Sequence, residues 1–149
     1  MCWNGKRGHY PQEIIEQGIE MGLHMLQVPE EYGGMGLDTT TTAMMIEEGA
    51  KVESTFMGMF NVTSMGGKIV MAAGNEEQKQ YYSGLLQKGY LSSFCLTEPD
   101  AGSDSAAVRT TAVRKGDSYV INGTKMFITK CFFSKCIPGS GNLRSFQRL

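Results

Sequence analysis

The sequence predicts an α+β chain, helices first and an antiparallel β section afterwards, with the change near residue 92. Two observations carry this. Through the first 90 positions apolar residues recur at helical spacing, on segments that open with capping residues and close with glycine. From Leu91 onward they come in short runs punctuated by glycine, asparagine and aspartate, which is the pattern of strands and turns. Helices and strands segregated in this way fit an α+β fold or two separate domains.

Tyr10-Pro11 opens the first helix, because proline suits a first turn. Ile14, Ile15, Ile19 and Leu23 form its apolar stripe with Gly18 and Gly22 alongside, and Glu13, Glu16, Gln17 and Glu20 take the other face. Each glycine weakens a helix by about 1 kcal/mol relative to alanine, so close approach of a neighbouring helix is the physical reason to keep it. Pro29 ends the segment. Gly33, Gly34 and Gly36 mark a loop with turns of positive φ. They do not read as a phosphate loop, since no strand precedes them and no Gly-Lys-Ser/Thr follows. Asp38 is placed to cap a second helix over 39–51. Residues 54–73 read as one or two apolar helices built on Phe56, Phe60, Ile69, Val70 and Met71, broken near Gly66-Gly67 and buried in a bundle. Asn75 and Gln78 then form a capping box, Tyr81, Tyr82, Leu85 and Leu86 the next stripe, and Gly89 the stop. The 11 methionines read as fillers of gaps between helices.

Leu91 to Leu96 has strand length and runs into a loop of small and polar residues, Thr97 to Asp104. Residues 110–114, 118–121 and 125–129 read as three strands. Lys115-Gly116-Asp117 joins the first two and Asn122-Gly123, a strong hairpin signal, joins the second to the third. Residues 131–149 follow neither period. They hold three basic and no acidic side chains, against 11 and 15 in residues 1–130, and read as a tail with no place in the fold.

With 41% hydrophobic and 19% charged residues the chain belongs to the globular class. A net charge of −1 gives no reason to expect nucleic acid or an anionic membrane as partner. No segment nears the ~18 consecutive apolar residues of a membrane span, and residues 1–10 lack the apolar stretch of a signal peptide. Cys2, Cys95, Cys131 and Cys136 form no Cys-x-x-Cys pair, and with His9 and His24 the only histidines no zinc site is expected. Reduced thiols in a cytoplasmic chain are the plain expectation.

Chemistry concentrates in two segments. Thr97, Ser103 and the amides around Ala101-Gly102 put neutral donors on one loop, where Gly102 lets backbone approach a flat heterocycle or a phosphate. On a strand, Phe127 and Thr129 share a face, so a ring can stack while a hydroxyl reaches a ring nitrogen. From spacing alone, closing a turn and filling a core is the more ordinary role of these residues.

The motifs themselves decide. Thr97 to Asp104 stands as Thr-Glu-Pro-Asp-Ala-Gly-Ser-Asp, and Asn122 to Thr129 as Asn-Gly-Thr-Lys-Met-Phe-Ile-Thr. Upstream stand Pro29 to Gly36 and Gly74-Asn75-Glu76-Glu77-Gln78-Lys79. In this order they resemble the acyl-CoA dehydrogenase family over roughly residues 10–130. The resemblance implies an N-terminal helical bundle domain over 1–92 and, over 93–130, the first strands of an antiparallel β-barrel middle domain, truncated before an aberrant tail over 131–149. It implies FAD as cofactor, lined by Phe94, Cys95, Leu96, Thr97, Gly102 and Ser103, with Ser103 also near substrate. Phe127, Ile128 and Thr129 would pack on the flavin ring. Many members have tryptophan where Phe127 stands, a change that keeps stacking and loses an indole donor. Family enzymes desaturate an acyl-CoA thioester, a glutamate taking the α proton while hydride leaves for flavin N5, and pass electrons to an electron-transfer flavoprotein. That base usually lies in a C-terminal helical domain, so no catalytic residue is expected here and Glu98 is read as part of the flavin motif. Where the family usually continues Asn-Gly, Lys130-Cys131 follows instead, which suggests a frameshift or a wrong junction. The expectation is thus a fragment, inactive by itself, of an enzyme that is a homo-oligomer when complete, cytoplasmic or in the mitochondrial matrix. The rival expectations are a fragment of an acyl-CoA oxidase or flavin monooxygenase of the same superfamily, and a non-catalytic remnant.

Overall fold

The computed structural model describes residues 12–129. The proposed helix start at Tyr10-Pro11, Cys2, Cys131, Cys136 and the tail over 131–149 lie outside them. Three helices come first: α1 (Gln12–Glu20), α2 (Thr39–Ala73) and α3 (Glu76–Gln87). Strands β1 (Thr111–Lys115) and β2 (Ser118–Asn122) follow, and short 3₁₀ turns lie at Glu30–Tyr32 and Ser105–Ala107.

The local chemistry of each boundary is visible. α1 is shorter than its stripe suggests, and Gly22 is no part of its face. Gly22 sits at φ 75° in a Schellman stop, with Leu23 N–H bonded to Gly18 O at 3.0 Å and Gly22 N–H to Ile19 O at 2.9 Å. Asp38 caps α2, accepting from Thr40 N–H at 2.8 Å and Thr41 N–H at 3.0 Å. α2 is interrupted at Glu53, with φ −153° and ψ 102°, at the division expected between helices over 39–51 and 54–73, whereas the break expected at Gly66-Gly67 does not form and the helix runs on there. Glycine lowers helix propensity without forbidding the conformation, and burial of Ser64 and Gly67 holds this turn in place. The Asn75–Gln78 capping box forms with both bonds at 2.9 Å.

Two apolar clusters lie among the helices. One joins Leu23, Leu26, Met57, Phe60 and Leu91, and the other Met25, Val28 and Leu86. Gly18 lets α1 approach α2 closely, since a Cβ there would lie 2.5 Å from Phe60 Cζ. Burial is one-sided: Met25, Met57 and Met59 are interior, whereas Met21, Met44 and Met65 are exposed. Ile69, at 52% exposure, and Tyr81, at 63%, also depart from the predicted core. Helical spacing identifies a stripe, but its edge residues meet solvent unless a second layer covers them.

The β section keeps β1 and β2 as an antiparallel pair with Thr111 opposite Asn122 and Lys115 opposite Ser118. Neither the expected strand over 91–96 nor the expected third strand over 125–129 forms a ladder. Residues 91–97 instead carry no regular secondary structure and lie against the helices at their start, with Leu91 in the first cluster. Ser92 is fastened there, its hydroxyl 2.7 Å from that of Tyr82 and its carbonyl accepting from Thr63 Oγ1 at 3.3 Å. Asn122-Gly123 makes no hairpin, since no strand of the described residues follows to pair with β2, and Gly123 instead permits close approach: a Cβ at that position would strike the side chain of Thr110. No helix of the described residues is long and apolar enough to cross a membrane.

Candidate functional site

Residues 94–97, which follow the helical core, lead into a tight turn. Glu98 N–H donates to Ala101 O at 3.0 Å and Ala101 N–H returns to Glu98 O at 3.2 Å. Pro99 and Asp100 occupy the bend, where proline's fixed φ suits a turn. Asp104 then accepts from Ala106 N–H at 3.2 Å and starts the short 3₁₀ turn that leads to β1.

Glu98 is the hub of this region. Its carboxylate accepts from Arg109 N–H at 2.7 Å, Thr110 N–H at 3.0 Å, the Thr110 hydroxyl and Lys125 Nζ at 2.8 Å. Lys125 Nζ also donates to Leu96 O at 3.0 Å. Both charged side chains are nearly withdrawn from solvent, at 11% exposure for Lys125 and 6% for Glu98. The Lys125 ammonium, then the Thr110 hydroxyl and the Arg109 amide, hold the Glu98 carboxyl down to about 2. It is therefore ionised at neutral pH and a poor proton acceptor.

One backbone bond completes the junction, Met126 N–H to Thr97 O at 2.9 Å. With the Lys125–Leu96 bond it places Leu96 and Thr97 beside residues 125–126. Phe127 follows in the left-handed region at φ 57°, and it is 87% exposed. A bulky residue costs roughly 1–2 kcal/mol in that conformation. No packing contact accounts for that conformation in so exposed a side chain. Phe94, Thr97 and Ile128 are half-buried, and Cys95, Leu96, Gly102, Ser103 and Thr129 are exposed. A Cβ added to Gly102 would meet nothing within 4 Å, so its backbone is open to an incoming group.

Of the sequence-predicted site residues, then, Leu96 and Thr97 are joined by hydrogen bonds from Lys125 and Met126 to the segment that carries Phe127, Ile128 and Thr129. Gly102 and Ser103 lie beyond the turn, in exposed backbone. Sequence reasoning missed Glu98, Thr110 and Lys125 as the fastening of the site. A signal existed, for each of the two charges interrupts an otherwise uncharged run, Leu91 to Pro99 and Ser118 to Thr129.

Comparison with known proteins agrees with this architecture. The family model for the acyl-CoA dehydrogenase N-terminal domain matches residues 2–89, and that for the middle domain matches residues 93–138. An acyl-CoA dehydrogenase of Bacillus subtilis is 39% identical over 126 residues, covering 83% of this chain and 33% of that protein. A solved structure of the electron transferring flavoprotein of Acidaminococcus fermentans superposes with a TM-score of 0.78 at 38% identity, over 85% of this chain and 34% of that one. An acyl-CoA dehydrogenase of Bacillus anthracis, solved in complex with FAD, gives 0.73 at 36% identity, over 82% and 22%. The chain spans about a third of the length of the first two. Matching domains in the same order, on the same fold, make this chain a member of the acyl-CoA dehydrogenase family.

Proposed function

We propose that this chain forms the helical and flavin-facing part of an FAD-dependent acyl-CoA dehydrogenase, which desaturates an acyl-CoA thioester at the α,β position and delivers electrons to an electron-transfer flavoprotein. The observation that carries the reading is the junction of Leu96 and Thr97 with residues 125–126, beside an exposed, left-handed Phe127. The residues fit a flavin. An exposed aromatic suits stacking on a flat ring, and open backbone at Gly102 suits an approaching phosphate.

In this reading Phe94, Cys95, Leu96, Thr97, Gly102 and Ser103 line the flavin and its pyrophosphate, with Ser103 also facing substrate. Phe127, Ile128 and Thr129 pack on the ring and orient it. Bound FAD supplies the hydride acceptor, and the protein's part is binding and orientation. No carboxylate of the described residues is assigned as the base. Glu98, pinned to about 2 by its donors, is the wrong group for it. The domain division goes with the same reading: residues 1–92 as the helical domain and 93–130 as the start of the middle β domain. So do a homo-oligomeric enzyme and a cytoplasmic or mitochondrial-matrix location.

Titration of FAD with the chain, followed by flavin fluorescence anisotropy, tests this. A saturable rise is expected, with no such rise for riboflavin, which lacks the pyrophosphate. Absence of saturable FAD binding would remove the proposal's footing.

A further inference from the structure

Resting on the flavin reading above, we propose that Glu98 and Lys125 are positioning residues for the cofactor. Their ion pair holds the 94–97 and 125–129 segments in one arrangement, and so fixes how the Leu96–Thr97 peptide and Phe127 meet the flavin. Neither side chain needs to touch the cofactor.

The pair is not of the kind that forms casually. An exposed ion pair contributes little and is free to drift. This one is nearly shut off from solvent, where withdrawal of two charges from water is tolerated only if their remaining hydrogen-bonding capacity is met. Arg109 N–H, Thr110 N–H and the Thr110 hydroxyl meet that of Glu98, and Leu96 O takes a second bond from Lys125.

The consequence for the backbone is specific. A peptide unit is planar and trans, so its carbonyl and its N–H point in opposite directions. With Leu96 O turned to Lys125 Nζ, Thr97 N–H is turned away from it. The next carbonyl, Thr97 O, is held by Met126 N–H. Two successive peptide planes at the candidate site are thus oriented by Lys125 and the residue after it. Phe127 leaves this fixed stretch immediately, in its left-handed conformation. Pre-set backbone of this kind improves binding because little ordering remains to be done when the ligand arrives.

The two partners are unequal, and that gives a selective variant. Without Lys125, Glu98 keeps three donors from residues 109–110, and the 98–110 loop stays closed. Without Lys125, Leu96 O loses the donor that orients it. The chain carrying Lys125→Met is compared with its parent by FAD anisotropy, by visible circular dichroism at saturating FAD, and by amide exchange at Met126. Glu98→Gln, which removes charge and keeps an acceptor, is the second variant should the first not fold. Expected are a rise in the FAD dissociation constant of about tenfold, which is ~1.4 kcal/mol, a changed flavin dichroic band, and loss of protection at Met126. A merely structural residue would lower the folded fraction and leave the band shape of bound flavin as it was. Parental affinity and parental band shape in a folded variant overturn the proposal. If the parent itself fails to bind FAD, the flavin reading fails separately and the exchange arm decides the clasp. Unchanged protection at Met126 then removes it, and lost protection retains it.

Discussion

At Glu98 a carboxylate stays charged with 7% of the residue exposed, because four donors converge on it. Its pH dependence follows in sign from the lowered value. The ordinary carboxyl value of 4.5 stands for the unfolded chain, and about 2 for the folded one. Folding therefore favours the ionised form, and the contribution is complete above 4.5 and lost as the pH falls through about 2. Carbon NMR titration of the Glu98 carboxyl is expected to show a midpoint near 2, moved upward in Lys125→Met, since the ammonium is the largest cause. A midpoint at the ordinary value would contradict the hub. Gly18 poses the complementary case of a missing side chain. An added Cβ would lie 2.5 Å and 2.8 Å from two ring atoms of Phe60, itself buried in the cluster with Leu23, Leu26, Met57 and Leu91. Gly18→Ala is expected to destabilise the chain by roughly 1–3 kcal/mol through overpacking, against the gain that alanine gives an ordinary helix site. A raised thermal midpoint would show that α1 and α2 can part at no cost.

Among the elements, what was legible in the sequence was whatever short-range chemistry decides. Asp38 and Asn75 announce their helices because a side-chain acceptor two or three residues before an amide is local information. The β1–β2 pair was equally readable, with Gly116-Asp117 between alternating residues. Apart from Gly22, whose stop is a local motif, the failures were tertiary. Gly66-Gly67 looked like a break, yet packing against Tyr82 and Ser92 carries the helix through. Leu91 to Leu96 looked like a strand, yet Ser92 is bonded to Thr63 and Tyr82 on helices and Leu96 to Lys125. Asn122-Gly123 has the composition of a turn, but its glycine is there because Thr110 lies against it. The candidate site divides along the same line. Its two motifs were found in the sequence, and the Glu98–Lys125 fastening, spanning 27 positions, was not. Gly123→Ala tests the reassignment. A methyl group there would push Thr110 aside and withdraw its hydroxyl from Glu98. The expected result is a Glu98 carboxyl that titrates higher than in the parent, with α-helical circular dichroism unchanged. If Gly123 were simply a turn residue, the Glu98 titration would not respond.

For the molecule as a whole, the helices and the hairpin differ in what holds them. α1, α2 and α3 enclose two apolar clusters, with Phe60, Leu26 and Leu86 almost wholly withdrawn from water. Every residue of β1 is exposed, and a lone two-stranded hairpin is marginal in water. Its tie to the rest runs through Thr110, Glu98 and Lys125, and so through the candidate site. The site thus lies between the packed helices and an exposed hairpin, anchored to the first by Leu91 and Ser92. Local stability should follow this division, because protection from exchange tracks buried contacts rather than the presence of ladder bonds. Amides of Val113 and Val120 are expected to exchange much faster than those of Phe60 and Thr63. FAD, if it binds where Leu96, Thr97 and Phe127 meet, stabilises the state it binds. It should then slow exchange at Met126 and across β1–β2 while leaving the interior of α2 unchanged. Equal slowing everywhere would mean that helices and hairpin unfold as one unit, and that the site is not where the molecule gives way.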